Sequence, residues 1–127
     1  MSAGERQNDA ETTVEQLRGL VRQFVAERDW EQFHSPKNLS MALSIETAEL
    51  MEHFQWISTE ASRTLASDAQ RREEIAAELA DVICYALAMA NATGIDVSQS
   101  LIAKMAQNAL KYPASQFRGR FGHDDRG

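Results

Sequence analysis

Residues 35–54 read SPKNLSMALSIETAELMEHF. Ser35 before Pro36 is a helix-start signal: a side-chain acceptor for the free N–H groups of the first turn, then a residue whose missing N–H costs nothing there. Leu39, Ala42, Leu43, Leu50 and Phe54 follow at helical spacing and form one stripe. Glu46 falls inside that stripe, Glu49 borders it and Glu52 points away. A carboxylate on an apolar stripe is expensive to bury unless it is paired or holds a metal. This helix therefore carries both core positions and a candidate site.

Residues 68–94, DAQRREEIAAELADVICYALAMANATG, repeat the pattern. Asp68 and Gly94 are cap signals for a helix from Gln70 to about Thr93. Ile75, Leu79, Val82, Ala86 and Met89 form its stripe. Glu78 flanks the stripe, and Asp81 falls where the helix is apolar nearly all round. Glu73 and Glu74 precede that region and are expected in solvent. Acids on helices are ordinarily a solvated face, but angular position singles out Glu46, Glu49, Glu78 and Asp81 from the nineteen in the chain. Carboxylates converging from two helices, without Cys or His alongside, suit Mg²⁺, with Mn²⁺ as a substitute. A di-iron bundle would want Glu-x-x-His pairs, whereas His53 follows Glu49 by four and no histidine follows Glu78. Because Mg²⁺ commonly binds substrate phosphates, a phosphate ester or anhydride is the expected substrate class.

Outward from these two helices, Leu17, Leu20, Val21, Phe24 and Val25 mark a first helix over 13–27, and residues 28–35 connect it to the second. Residues 57–69 are polar and small and predict a loop. Asp96 caps a fourth helix that runs to about Lys111, ahead of Pro113. With no strand alternation and no repeat, the expected fold is all-α, a four-helix bundle over residues 13–113. Residues 1–12 are expected as a disordered lead and 114–127 as a mobile tail. Lys104, Asn108 and Tyr112, spaced by four, share one face of the last helix, where a lysine and an amide suit phosphate oxygens; a snorkelling lysine at a helix edge has the same spacing. Trp30, His34, Asn38 and Trp56 flank the second helix at its two ends. Such aromatics either stack on a base or pack helix ends.

The 127 residues fit one domain. A net charge of -6 is the wrong sign for a nucleic-acid partner. Cys84 is the only cysteine, so there is no disulfide framework and no thiolate metal site, and a reducing cytoplasm fits. The polar opening MSAGERQNDAETT predicts no secretion signal. The longest apolar run, Val82 to Ala90, predicts no membrane span.

In order, the pieces RDWEQFH, Glu46-x-x-Glu49, FQW, Glu78-x-x-Asp81 and K-x-x-x-N-x-x-x-YP resemble the all-α nucleoside triphosphate pyrophosphohydrolases, the MazG-like group, and most of all its dCTP pyrophosphatase branch. The resemblance implies cleavage of a nucleoside triphosphate between the α- and β-phosphates, giving the monophosphate and pyrophosphate. It implies Mg²⁺ on Glu46, Glu49, Glu78 and Asp81, with Glu49 or Glu46 activating the water. It implies phosphate contacts from Lys104 and Asn108, hydroxyls from Tyr85 and Tyr112, and a base walled by Trp30 and Trp56 with His34 and Asn38 nearby. It also implies a homo-oligomer, a dimer or a dimer of dimers. Animal members of that branch carry a histidine in the first helix that helps form the base pocket; Val21 stands there in this chain. A non-catalytic helical oligomerisation or regulatory module, and a related enzyme preferring dUTP or another modified nucleotide, are the competing readings.

Overall fold

A computed structural model describes residues 7–120, and every regular element among them is helical. The four long helices arise where local chemistry starts and stops them. The first, α1 (Val14–Glu27), opens on a reciprocal capping box: Gln16 N–H donates to Thr13 Oγ1 at 3.1 Å and Thr13 N–H to Gln16 Oε1 at 2.8 Å. The second, α2 (Pro36–Glu52), starts at Ser35, whose Oγ accepts from Asn38 N–H at 3.2 Å. A short helix, α3 (Thr59–Thr64), follows. Then α4 (Ala69–Thr93) is capped by Asp68 and closed by Gly94 at φ 70°, the left-handed region a glycine enters without cost from Cβ. Asp96 caps α5 (Val97–Lys111), and Pro113 precedes a single turn, α6 (Ala114–Phe117).

Three stretches depart from expectation. The segment 57–69 contains α3, because Ser58 Oγ accepts from Ala61 N–H at 3.0 Å and nucleates a turn there. Residues 114–117 of the expected tail are helical, and residues 8–12 of the expected lead form a turn in which Glu11 and Thr12 N–H donate to the Asn8 carbonyl. The rest of the expected lead and tail, residues 1–6 and 121–127, lies outside the described residues.

The chain divides into two compact units at Gly94–Ile95. In the first, α2 packs along α4, and α1 lies on α4. Its buried apolar side chains are Val25, Leu39, Leu87, Ala88 and Ala90, with Leu39 at 1% exposure. Fully burying one such leucine contributes about 1.5–3 kcal/mol. The second unit holds α5 and α6; there Tyr112 meets Phe117 edge to face at 5.2 Å. At 25 residues, α4 is long and apolar enough to cross a bilayer by length and composition, which the run of consecutive apolar residues did not suggest. It packs against α1 and α2 and carries Glu78 and Asp81 near its middle.

Candidate active site

The acids of α2 and α4 meet where the two helices pack. Glu46 and Glu49 stand three apart on α2, and Glu78 faces them from α4; each offers a carboxylate oxygen, and these oxygens lie within 4.8 Å of one another. All three are half-buried. The Oε2 atoms of Glu46 and Glu78 are buried with no hydrogen-bond partner. Among the described residues no lysine or arginine forms a salt bridge with any of the three.

Burial pushes the Glu46 carboxyl up from 4.5 to about 7, with the adjacent Glu49 and then Asp81 and Glu78 adding to the shift. Burial likewise raises Glu78, followed by repulsion from Glu49 and Asp81. Like charges collected without a cation destabilise one another. A divalent cation fits this donor set: three hard oxygen donors converge, and two of their buried atoms lack any donor.

Asp81 contributes to this field but is itself exposed and stands outside the group of three. Asp81 falls where the sequence makes α4 apolar nearly all round, yet Leu79 and Ile83 beside it also face solvent on this single chain. Tyr85, one turn beyond Asp81, is half-buried; burial raises its hydroxyl, with the Glu46 charge next. Burial, then Asp81, raises the Cys84 thiol in the same way. Of the acids expected in solvent, Glu52 and Glu73 are exposed, and Glu74 is half-buried and ion-paired with Arg71 at 3.3 Å.

The residues flanking α2 divide between its ends. Trp30, His34 and Asn38 lie at the start. Trp30 packs edge to face on Phe24 at 5.8 Å, and Asn38 Nδ2 donates to the Phe33 carbonyl at 3.1 Å. Trp56 follows the other end, 87% exposed. The 17 residues of α2 span about 25 Å, so one chain does not bring both tryptophans to the same ring. Lys104, Asn108 and Tyr112 share a face of α5 in the second unit, where Lys104 Nζ donates to Gln107 Oε1 at 3.3 Å and the Tyr112 N–H to the Asn108 carbonyl at 2.8 Å.

A cleft of about 360 Å³ opens between α1, the start of α2 and the last turns of α4. It collects Val21 and His34 with three polar residues that pattern analysis passed over: Arg22, Glu31 and Asn91. The signal for Asn91 was present, a lone amide in the run ALAMANA; Arg22 read as ordinary surface on α1.

A family model described as MazG-like matches residues 41–120. Mouse dCTP pyrophosphatase 1 (Mus musculus) is 43% identical over 109 residues, 86% of this chain and 64% of that protein. The rat protein of the same name (Rattus norvegicus) is 41% identical over 118 residues, 93% of this chain and 69% of its own length. The chain thus spans about two thirds of the curated relatives it matches. Among solved structures, a pyrophosphatase from Archaeoglobus fulgidus DSM 4304 superposes with a TM-score of 0.73 at 37% identity, covering 78% of this chain and 91% of that one.

Proposed function

The chain belongs to the MazG-like family, and from that premise we propose that it is a Mg²⁺-dependent nucleoside triphosphate pyrophosphohydrolase acting on dCTP or a modified dCTP. The observation that carries the proposal is the group of Glu46, Glu49 and Glu78 with two buried, unpartnered oxygens. The names of the relatives support the substrate and the type of cleavage.

Glu46 and Glu78 would hold the cation through those oxygens, with Asp81 completing the set from the rim. When bound, the cation supplies charge neutralisation and polarises the phosphoryl oxygens. Glu49 accepts a proton from water as the water oxygen attacks the α-phosphorus. The bond from that phosphorus to the α–β bridging oxygen breaks, and its electron pair leaves with pyrophosphate. The Tyr85 hydroxyl, held protonated by burial, is a donor for a substrate oxygen beside the acids.

The active species is a homo-oligomer, a dimer or a tetramer. Ile45 on α2 and Leu79 and Ile83 on α4 are exposed at 59%, 45% and 45%, which is a large apolar area for one chain to leave in water. A second copy covering that face brings Asp81 out of solvent and lets the protruding Trp56 reach a neighbour's site.

The test is incubation with dCTP, 5-methyl-dCTP, dUTP and the common triphosphates in Mg²⁺, with the products separated. Monophosphate and pyrophosphate, fastest from a cytosine nucleotide, support the proposal. Diphosphate and orthophosphate, or no turnover of any triphosphate, contradict it.

A further inference from the structure

The connector between α1 and α2 turns on Asp29. Among the described residues it is the only non-glycine residue with positive φ, at 53°. Its N–H donates to the Ala26 carbonyl at 3.1 Å, and the Trp30 N–H donates to the Val25 carbonyl at 3.1 Å. This pair of bonds is the Schellman ending of a helix, with Asp29 at the left-handed position. The apolar contact that accompanies such an ending is here Trp30 edge to face on Phe24 at 5.8 Å. A single 3₁₀ turn, Glu31–Phe33, follows directly. Glu31 and, just past the turn, His34 line the cleft.

Stopping a helix does not by itself call for aspartate. Gly94 ends α4 at φ 70°, and glycine enters this region without steric cost. Residues with a Cβ are disfavoured there, Asn and Asp least of all. What Asp29 adds is a side chain. Gln32 Nε2 donates to the Asp29 carbonyl at 2.9 Å and to Asp29 Oδ2 at 3.3 Å. One amide thus holds the backbone and the carboxylate of the same residue. Rotation about the Asp29 ψ torsion would pull the carbonyl away from Gln32, so the clamp fixes the torsion that aims Trp30. The far end of the turn is fixed too, because Asn38 Nδ2 donates to the Phe33 carbonyl at 3.1 Å.

We propose that Asp29, clamped by Gln32, is a positioning residue for nucleotide binding, acting through Trp30 and the turn that leads to His34; the proposal rests on the pyrophosphohydrolase reading, in which the base lies beside Trp30 and His34. A wall that is already set saves the ordering that binding would otherwise require. With the clamp gone, Trp30 samples other settings. Where the competent setting falls to between about a third and about a tenth of the population, the apparent Kd rises about threefold to tenfold.

The test is calorimetric binding of dCMP, which carries no phosphoanhydride to cleave, to the whole protein and to three variants, with thermal melts alongside. Asp29→Gly relieves the backbone and removes the carboxylate. Gln32→Met keeps Asp29 and removes the donor. Both lose about threefold to tenfold in dCMP affinity, while their melts stay within about 4 °C of the parent, because the bonds removed lie on the surface. Asp29→Asn keeps an acceptor for Gln32 and the tolerance of the left-handed region, and binds dCMP as the parent does. With dCTP, KM rises in the first two variants and kcat is little changed. In a Trp56→Phe background, which leaves Trp30 as the only indole, fluorescence anisotropy falls in the same two variants. Unchanged dCMP affinity in Asp29→Gly and Gln32→Met, or an Asp29→Asn variant as weak as Asp29→Gly, overturns the assignment. A loss of affinity that comes with a melt lowered well beyond that range overturns it as well, since it marks a purely structural role. Triphosphate turnover with a dCMP affinity indifferent to Asp29 and Gln32 sinks this inference and leaves the pyrophosphohydrolase reading standing. A dCMP affinity that follows Asp29 and Gln32 in a protein that turns over no triphosphate does the reverse.

Discussion

Glu46→Gln removes one of the three carboxylates packed at the α2–α4 contact, and its effect on stability is calculable in sign. Without a cation, Glu46 titrates at about 7 in the folded protein against an ordinary 4.5. The folded state therefore holds this proton more tightly than the unfolded chain does. That contribution to stability is fully present below about pH 4.5 and is lost as pH rises through about 7. A whole proton of difference is worth about 1.4 kcal/mol per pH unit; solvent around a part-exposed group reduces this. With roughly 4 °C of Tm per kcal/mol for a chain of this size, metal-free parent protein should lose several degrees between about pH 5 and 7.5. Glu46→Gln has no proton to lose at this position, so its curve is flatter and crosses above the parent near neutrality. Mg²⁺ reverses the order: at a hundredfold excess over Kd it stabilises the parent by about 2.7 kcal/mol and the variant by much less. Thermal melts followed by circular dichroism, across pH in EDTA and again in Mg²⁺, provide both comparisons. Parallel pH curves for parent and variant, or equal stabilisation by Mg²⁺, would refute the buried-carboxylate reasoning.

Glu49→Gln should lower kcat by about 10²–10⁴ with the melt preserved, measured by pyrophosphate release; parent-like turnover clears Glu49 of the proton-accepting role. Leu39→Ala, at the most buried side chain of the first unit, should cost about 2.5–5 kcal/mol in urea denaturation, and a loss under 1 kcal/mol would place the core elsewhere. Gly94→Ala meets no neighbouring atom within 4 Å but must adopt φ 70°, so it should cost about 1–2 kcal/mol by backbone strain alone.

What could be read without coordinates was whatever local chemistry decides. Ser35, Asp68 and Asp96 each satisfy the N–H groups of the turn they precede, and no tertiary contact is needed to see it. Glu46, Glu49 and Glu78 were legible because helical angle places them beside apolar stripes that must face another helix. Asp81 shows the limit of the same arithmetic. The angle gives a direction on α4 but not which side a neighbour covers, and in one chain that side is open. The resemblance pairs Trp30 and Trp56 at the base, while the length of α2 between them puts them at opposite ends of that helix. Arg22 and Asn91 lie 69 positions apart and meet only once α1 packs on α4, a contact that no spacing within either helix encodes.

The central claim is that water attacks the α-phosphorus. Turnover of dCTP with Mg²⁺ in oxygen-18 water, with both products read by mass spectrometry, tests it most directly. One labelled oxygen in dCMP and none in pyrophosphate is the predicted result. Label in pyrophosphate, or orthophosphate carrying the label, would contradict it.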